Sequence, residues 1–406
     1  MITMKQMKRI AISILFLASL AAVPVFASDL AMPPLAMPTA ASDGFGGTHV
    51  AYTDNVFALL VNPAAMIRVQ ERSFFTLAPS FFNPQSTIKL GRSITGLASG
   101  DTGALGDAAN VLSEQRGRIA LGFELREFPL SIAWVANGFG FGLWNRSFVN
   151  ANIIGTTVGV NVFSDVVLPV GFAFKILDKQ GHTLDMGLTV KGFTRIWARE
   201  QERIIALMDN ASDLEDRIHI PVIIGGGFDA GFMYRWDMGL QAGFTLDDIF
   251  SRGYAAANIL GKGNNSYYIP FTMNLGLAYD FKVSRYWINT SKFLGSLGFA
   301  VAFDWRDMRN AFLQDDYLRR NALLDLGVGF QLSLFDIFLI RLGMNEMLPA
   351  FGLGFNLGPC KIDLAFYGRE LGYEPGQLSV AAVDLSFSVR PGAKERTWPW
   401  ARRSMF

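Results

Sequence analysis

The sequence predicts an all-β protein, a transmembrane antiparallel β-barrel of about 14 strands. Three observations carry that expectation. The composition is apolar, no later stretch makes a good spanning helix, and bulky side chains recur at a period of two. Of 406 residues, 50% are hydrophobic and only 17% charged, with 41 glycines and 35 phenylalanines. Soluble domains carry charge on about a quarter of their residues. A net charge of +1 also argues against nucleic acid as a partner, which needs a clustered basic surface.

The start of the chain reads as a signal peptide over 1–27. Lys5, Lys8 and Arg9 precede an apolar run from Ile10 to Ala22, and Val25-Phe26-Ala27 offers a cleavage site. No cysteine follows that cut to make a lipoprotein, and the single Cys360 excludes an intrachain disulfide. Beyond it, Ser147 to Ser164 lacks charge, but Asn150, Asn152, Gly155, Thr156 and Thr157 make it a poor helix for lipid. A bilayer admits only helices or closed barrels, because hydrocarbon cannot satisfy bare amides.

The period decides between them. Ile269, Phe271, Met273, Leu275, Leu277, Tyr279 and Phe281 alternate with Pro270, Thr272, Asn274, Gly276, Ala278 and Asp280. Leu297 to Trp305 and Leu324 to Leu334 repeat the rule, as do 236–246, 351–357 and 383–389. All bulky residues then share one sheet face, while small and polar ones share the other. Aromatics such as Trp236, Tyr279 and Trp305 end the bulky face. A lipid-facing exterior bounded by aromatic girdles is the pattern of an outer-membrane barrel, so the expected location is the cell outer membrane.

Fourteen runs can be drawn between 72–82 and 377–390, the second at 129–137. Short turns, among them Asn137-Gly138 and Lys179-Gln180-Gly181, alternate with long connections at 83–128, 151–164, 198–221, 247–266 and 307–320. Residues 283–294 make a long connection on the short side. Short periplasmic turns and long outer loops put both termini in the periplasm. The barrel therefore spans 72–390, with a separate segment at 28–71 and a tail at 391–406.

The 28–71 segment holds Pro33, Pro34 and Pro38, then Gly44-Phe45-Gly46-Gly47, Ala51, Asp54 and Asn62-Pro63-Ala64. A phosphate-binding loop would need a preceding strand and a following helix with a lysine, and neither is present. Asn62 before Pro63 predicts a capped turn opening a short helix. The string Gly44-x-Gly46-Gly47, Ala51, Asp54 and Asn62-Pro63-Ala64 resembles the hatch of FadL-type long-chain fatty acid transporters, and resembles the FadL-like outer-membrane proteins of spirochaetes still more closely.

That resemblance implies a monomeric barrel plugged by a hatch in which Gly44, Gly46, Gly47, Asp54, Asn62, Pro63 and Ala64 sit. It implies passive uptake of long-chain fatty acids or other small hydrophobic compounds, which leave sideways through the wall. The partners implied are outer-membrane lipids, the hydrophobic substrate and the barrel assembly machinery, with no cofactor. One departure stands at the C-terminus, where Pro391 ends the last strand and a tail runs to Phe406 in place of a closing aromatic.

Candidate substrate contacts follow from chemistry. Lys191, Arg195 and Arg341 fall on the lumen face and could hold a carboxylate; internal ion pairs with lumen acids such as Asp185, Asp229 and Asp384 are the other outcome. Ile204, Ile205 and Met208 lie at helical spacing in one expected outer loop, and Phe250 in the next, as a greasy landing groove or as simple packing. Gly140 and Gly142 could kink a wall strand into a lateral exit, although a hairpin at Asn137-Gly138 needs no such role. His49, His182 and His219 show no ligand spacing, so neither a metal nor an enzyme is expected. The tail, with Trp398, Trp400, Arg402 and Arg403, either lies on the membrane surface or stays disordered. Two rival readings remain: a non-transporting surface adhesin or structural barrel, and a general porin for polar solutes.

Overall fold

A computed structural model describes residues 30–391, apart from 74, most of 100–117, 128–130, 155–156, 204–218, 261–265, 283–296, 313–319 and 336. The expected signal peptide, nearly all of the tail, and the 283–294 connection lie outside the described residues. So do Ile204, Ile205 and Met208.

The wall is one antiparallel sheet that closes on itself. Its strands are β2 (Glu71–Ser73) continued by β3 (Phe75–Phe82), then β4 (Arg118–Arg126) continued by β5 (Ile132–Ala136). β6 (Phe139–Ile154), β7 (Thr157–Lys179), β8 (His182–Arg203), β9 (Ile220–Trp236) and β10 (Leu240–Leu260) follow. β11 (Ser266–Tyr268) leads into β12 (Thr272–Lys282), and then come β13 (Leu297–Trp305), β14 (Leu326–Leu334), β15 (Phe338–Asn345), β16 (Leu348–Asn356), β17 (Cys360–Glu370) and β18 (Ser379–Val389). The ladder from β18 to β3, for example Val383 to Phe81, seals the cylinder. With β2–β3, β4–β5 and β11–β12 each counted as one wall strand, fourteen strands surround the lumen, as the alternation predicts. No helix among the described residues is long and apolar enough to cross a membrane.

Facing follows the period of two. Leu168, Val170, Phe172 and Phe174 point outward and are exposed, whereas Asp185, Asp304 and Asp384 point inward and are buried. Closure removes every sheet edge, which is what lets the backbone sit in hydrocarbon. At the short-turn rim, Trp236 stacks on His182 at 5.6 Å, and His182 Nδ1 lies 2.7 Å from the Tyr234 hydroxyl, giving an aromatic girdle.

The wall is taller than expected on one side. Residues 151–164 were expected to form a loop, yet β6 runs to Ile154 and β7 starts at Thr157. Likewise β8 continues to Arg203 and β10 to Leu260, into the expected loops at 198–221 and 247–266. Over this stretch small and polar residues interrupt the bulky ones, so bulky–small alternation relaxes while the backbone ladder continues. The expected 83–128 loop holds α3 (Pro84–Ala98) and strand β4, so the second wall strand begins well before 129.

The N-terminal segment lies inside the barrel. It comprises β1 (Leu30–Ala31), α1 (Ala40–Gly44), α2 (Ala58–Val61) and a 3-10 turn at Pro63–Arg68. β1 pairs in parallel with β11, just after a long connection, and the segment then descends until Ile67 packs on the Asn137-Gly138 turn. Leu30, the first described residue, lies towards the long-connection half, and the expected periplasmic position of the N-terminus falls outside the described residues. There Met32 N–H donates to Tyr268 O at 2.8 Å. Arg390 stays at the short-turn rim, 3.3 Å from Glu71.

Candidate functional site

The site is the contact between this inner segment and the wall. Polar bonds fix it along its whole length. Arg195 donates to Pro33 O at 2.5 Å and Arg146 to Ala36 O at 2.6 Å. Thr39 caps α1, whose Asp43 meets Arg126 at 2.8 Å. The His49 and Val50 amides donate to Asp304 at 2.6 and 2.9 Å. Asn62 donates to Val50 O at 2.9 Å and Phe232 O at 3.2 Å, and its side-chain oxygen caps the Ala64 amide at 3.2 Å, the Asn-Pro turn expected from sequence. Arg68 reaches Thr183 at 3.1 Å.

Lumen-face glycines make the seat. A Cβ on Gly187 would lie 2.2 Å from the Pro63 carbonyl carbon, on Gly243 2.4 Å from Val50 O, and on Gly329 2.2 Å from Phe45 O. One on Gly352 would lie 3.0 Å from Gly44. The small residues of the alternating pattern are thus where the segment's backbone comes closest to the wall. Gly46 and Gly47 adopt φ of 71° and 73°, which only glycine takes readily, to turn the chain beneath Val328 and beside Asn345. Asp54 is exposed and borders a polar cavity.

Between the segment and strands β5 to β11 runs one continuous apolar column. Met32, Leu35, Met37, Leu59, Met66 and Val69 of the segment pack against Val135, Trp144, Val167, Phe193, Ile223, Met233 and Tyr267 of the wall. It extends from the β1–β11 contact to the short-turn rim. Trp144 is 0% exposed, tilts against Phe57 at 5.9 Å, and its Nε1 has no hydrogen-bond partner among the described residues. Methionines adapt to many shapes, so a column containing four of them can repack around a guest.

The cations singled out in the sequence sit on the lumen face, each against carboxylates. Lys191 meets Asp229 and Asp248 at 2.8 and 2.7 Å, Arg195 meets Asp165 at 2.6 Å, and Arg341 meets Asp363 at 2.7 Å. Phe250 corrects a second expectation: it belongs to strand β10, not a loop, at a bulge where its φ is 56°, and it is 45% exposed. Gly140 and Gly142 follow the Asn137-Gly138 hairpin. A Cβ on Gly140 would meet Val135 and Leu59, and one on Gly142 would lie 2.2 Å from the Trp144 ring. The β6–β7 ladder keeps its register but skips from Phe141 to Trp144, where the partner strand carries Pro169.

Sequence reasoning missed the densest charge cluster. Arg126 bonds Asp43 and Asp384 at 2.8 Å each and Glu124 at 3.0 Å, while Arg146 bonds the same Glu124. The alternation of Leu121, Phe123 and Leu125 with Gly122, Glu124 and Arg126 was the available signal. Towards the short-turn end a cavity of about 540 Å³ is lined by His49, Tyr52, Asp54, Asp280, Lys361 and Arg390 among others. Desolvation inside the lumen pushes the His49 pKa down, more than Asp304 raises it, and Arg306 lowers it further. Among the described residues no group of His, Cys, Asp and Glu could hold a metal ion.

No model of a known protein family matches the chain, and no curated protein matches it. Solved structures similar to it include the toluene transporter TodX of Pseudomonas putida, at 12% identity over 89% of this chain and 98% of that one, with a TM-score of 0.43. The toluene transporter TbuX of Ralstonia pickettii is similar at 11% identity over 92% and 100%, TM-score 0.42. A FadL homologue of Pseudomonas aeruginosa is similar at 11% identity over 89% and 98%, TM-score 0.41.

Proposed function

We propose that the protein is an outer-membrane channel for passive uptake of long-chain fatty acids or other small hydrophobic compounds, with residues 28–71 as its hatch. The apolar column carries this reading. A lumen built to pass polar solutes would not bury Trp144, Phe193, Ile223 and four methionines along one route. Partitioning supplies the energy, since a hydrophobic solute gains ~25 cal/mol per Å² of surface removed from water. We assign the exit to the wall at Gly140 and Gly142, where the missing ladder step opposite Pro169 lies behind the Trp144 ring.

Radiolabelled oleate uptake into a transporter-deficient host tests the proposal. Uptake above background by the inserted protein is expected, reduced by Gly142→Val, which pushes the Trp144 ring out of its place in the column. Background uptake with correct insertion would remove the fatty-acid reading. Liposome swelling with sugars would then favour a porin, and binding of cells through the loops an adhesin.

A further inference from the structure

The apolar outer face of the wall is uneven in height. On β7 every second residue from Ile176 up to Val162 faces outward, in phase with the exposed Leu168, and all are apolar except Ser164. The ladder carries this face onto the neighbouring strands. Val149, Val162 and Ala198 form one apolar row across β6 to β8, and Ile196 and Ile224 lie exposed on β8 and β9. On β8 only Thr194 interrupts it. One row higher Val160 pairs with Glu200, and the outward face of β10 carries Arg252, so the patch ends there. Phe163 on the inner face removes the bulky–small contrast, which is why the sequence period fades while the outer face stays apolar.

On the far side of the barrel the same face is short. β13 ends at Trp305, and β15 joins β16 through the tight turn Glu346-Met347. The outward residues of β15 are only Phe338, Ile340, Leu342 and Met344. The Trp305 ring meets the exposed Phe312 at 6.0 Å, an aromatic pair at the upper edge of this wall. With the ~3.3 Å rise and ~40° tilt of barrel strands, Ile176 to Val162 climbs ~35 Å, Leu297 to Trp305 ~20 Å and Phe338 to Met344 ~15 Å. The apolar band of such barrels is ~25 Å tall. Aromatics mark the lower edge on both sides, Phe174 and Trp236 on one and Phe281 and Phe299 on the other. Tilting the barrel would raise one side and lower the other, but would leave this difference in height unchanged.

We propose that lipid covers both walls, so that the barrel imposes a thickness gradient on the membrane around it. Acyl chains stretch to reach Val162 beside β6 to β9, and the bilayer thins beside β13 to β16. Continuity identifies the occupant: the upper patch runs without a charged ring into the surface that already faces lipid. A bilayer deforms at small cost per ångström, whereas a bare patch would leave exposed apolar side chains in water. The inference holds whether or not the lumen transports anything.

The test uses single-cysteine variants of the full-length protein on a Cys360→Ser background, folded in nanodiscs that leave both membrane faces open. They are reacted with a charged maleimide, which hydrocarbon excludes. Each rate is taken relative to the same variant unfolded in urea. Met347→Cys, at the tip of the short wall, lies well below Val162→Cys, so a bilayer of even thickness must expose Val162→Cys first. In dioleoyl phosphatidylcholine the reverse is expected, with Met347→Cys reacting roughly tenfold faster. In dilauroyl phosphatidylcholine the thinner bilayer should no longer reach Val162→Cys, whose rate should rise roughly tenfold while Leu168→Cys stays protected. Folding is checked by the gel shift between unheated and boiled samples; if Met347→Cys fails to fold, the exposed Leu323→Cys at the same rim takes its place. A rate at Val162→Cys equal to or above that of the short-wall site would overturn the proposal. So would protection of Val162→Cys that persists in dilauroyl lipid, since a protein partner and not acyl chains would then cover the patch.

Discussion

Arg126 holds three carboxylates from different parts of the chain: Asp43 of the inner segment, Glu124 of its own strand and Asp384 of the last strand. All four side chains are buried. Removing one partner of such a cluster leaves uncompensated charge in a low-dielectric site, which costs about 3–5 kcal/mol. Arg126→Met should lower the free energy of unfolding read from urea titration by that amount, whereas Asp43→Asn should cost less, because Glu124 and Asp384 still hold Arg126. Equal losses would mean that the cation's burial, and not its network, sets stability. The residue was invisible from sequence because 83–128 read as a loop, so no facing was assigned to it. Lys191, Arg195 and Arg341 were legible as inward cations, but their partners come from neighbouring strands. Sequence alone does not fix the registers that pair Lys191 with Gly227 or Arg341 with Gln331.

At the scale of elements, strands inside the lipid belt were legible and strands above it were not. Over 166–176 every second residue is bulky, because one face touches acyl chains; over 151–164 Asn and Gly intervene and the period is lost. The inner segment's turn at Asn62-Pro63 was also legible, as capping is local chemistry. Its seat was not: Gly187 meets Pro63 only through tertiary packing. Gly187→Val should displace the 3-10 turn and leave the barrel closed, seen as unchanged gel mobility with new protease cleavage within 28–71. Retained protection would show that the wall yields instead.

A pH dependence belongs to the same element. The His49 pKa is depressed in the folded state, first by desolvation, so the docked segment binds fewer protons than the released one. Stability from this group is therefore full above the unfolded value of about 6.5 and is lost as pH falls through the lowered folded value. Protease sensitivity of the segment should rise on acidification from pH 7.5 to 5, and His49→Gln should flatten that rise. A slope unchanged in His49→Gln would assign the effect to other lumen groups.

For the whole molecule, the barrel and its contents are stabilised by different forces. The wall is closed by backbone ladders between its own strands, from β3 round to β18. The segment adds an apolar column on one side and bonds to Asp304, Arg126 and Arg195 elsewhere. Deleting 28–69 should therefore give a barrel that still resists detergent unfolding without heat, but with a continuous aqueous lumen lined by the freed charges. In planar bilayers the deletion variant should conduct ions steadily where the full chain is nearly silent. Its sugar permeability should rise while its oleate uptake falls to background, because half of the apolar column leaves with the segment. If oleate uptake survives the deletion, the column is not the route, and hydrophobic solutes cross by another face of the protein. If instead the variant no longer folds, the inner segment is a structural core that the barrel needs, and it cannot act as a removable hatch.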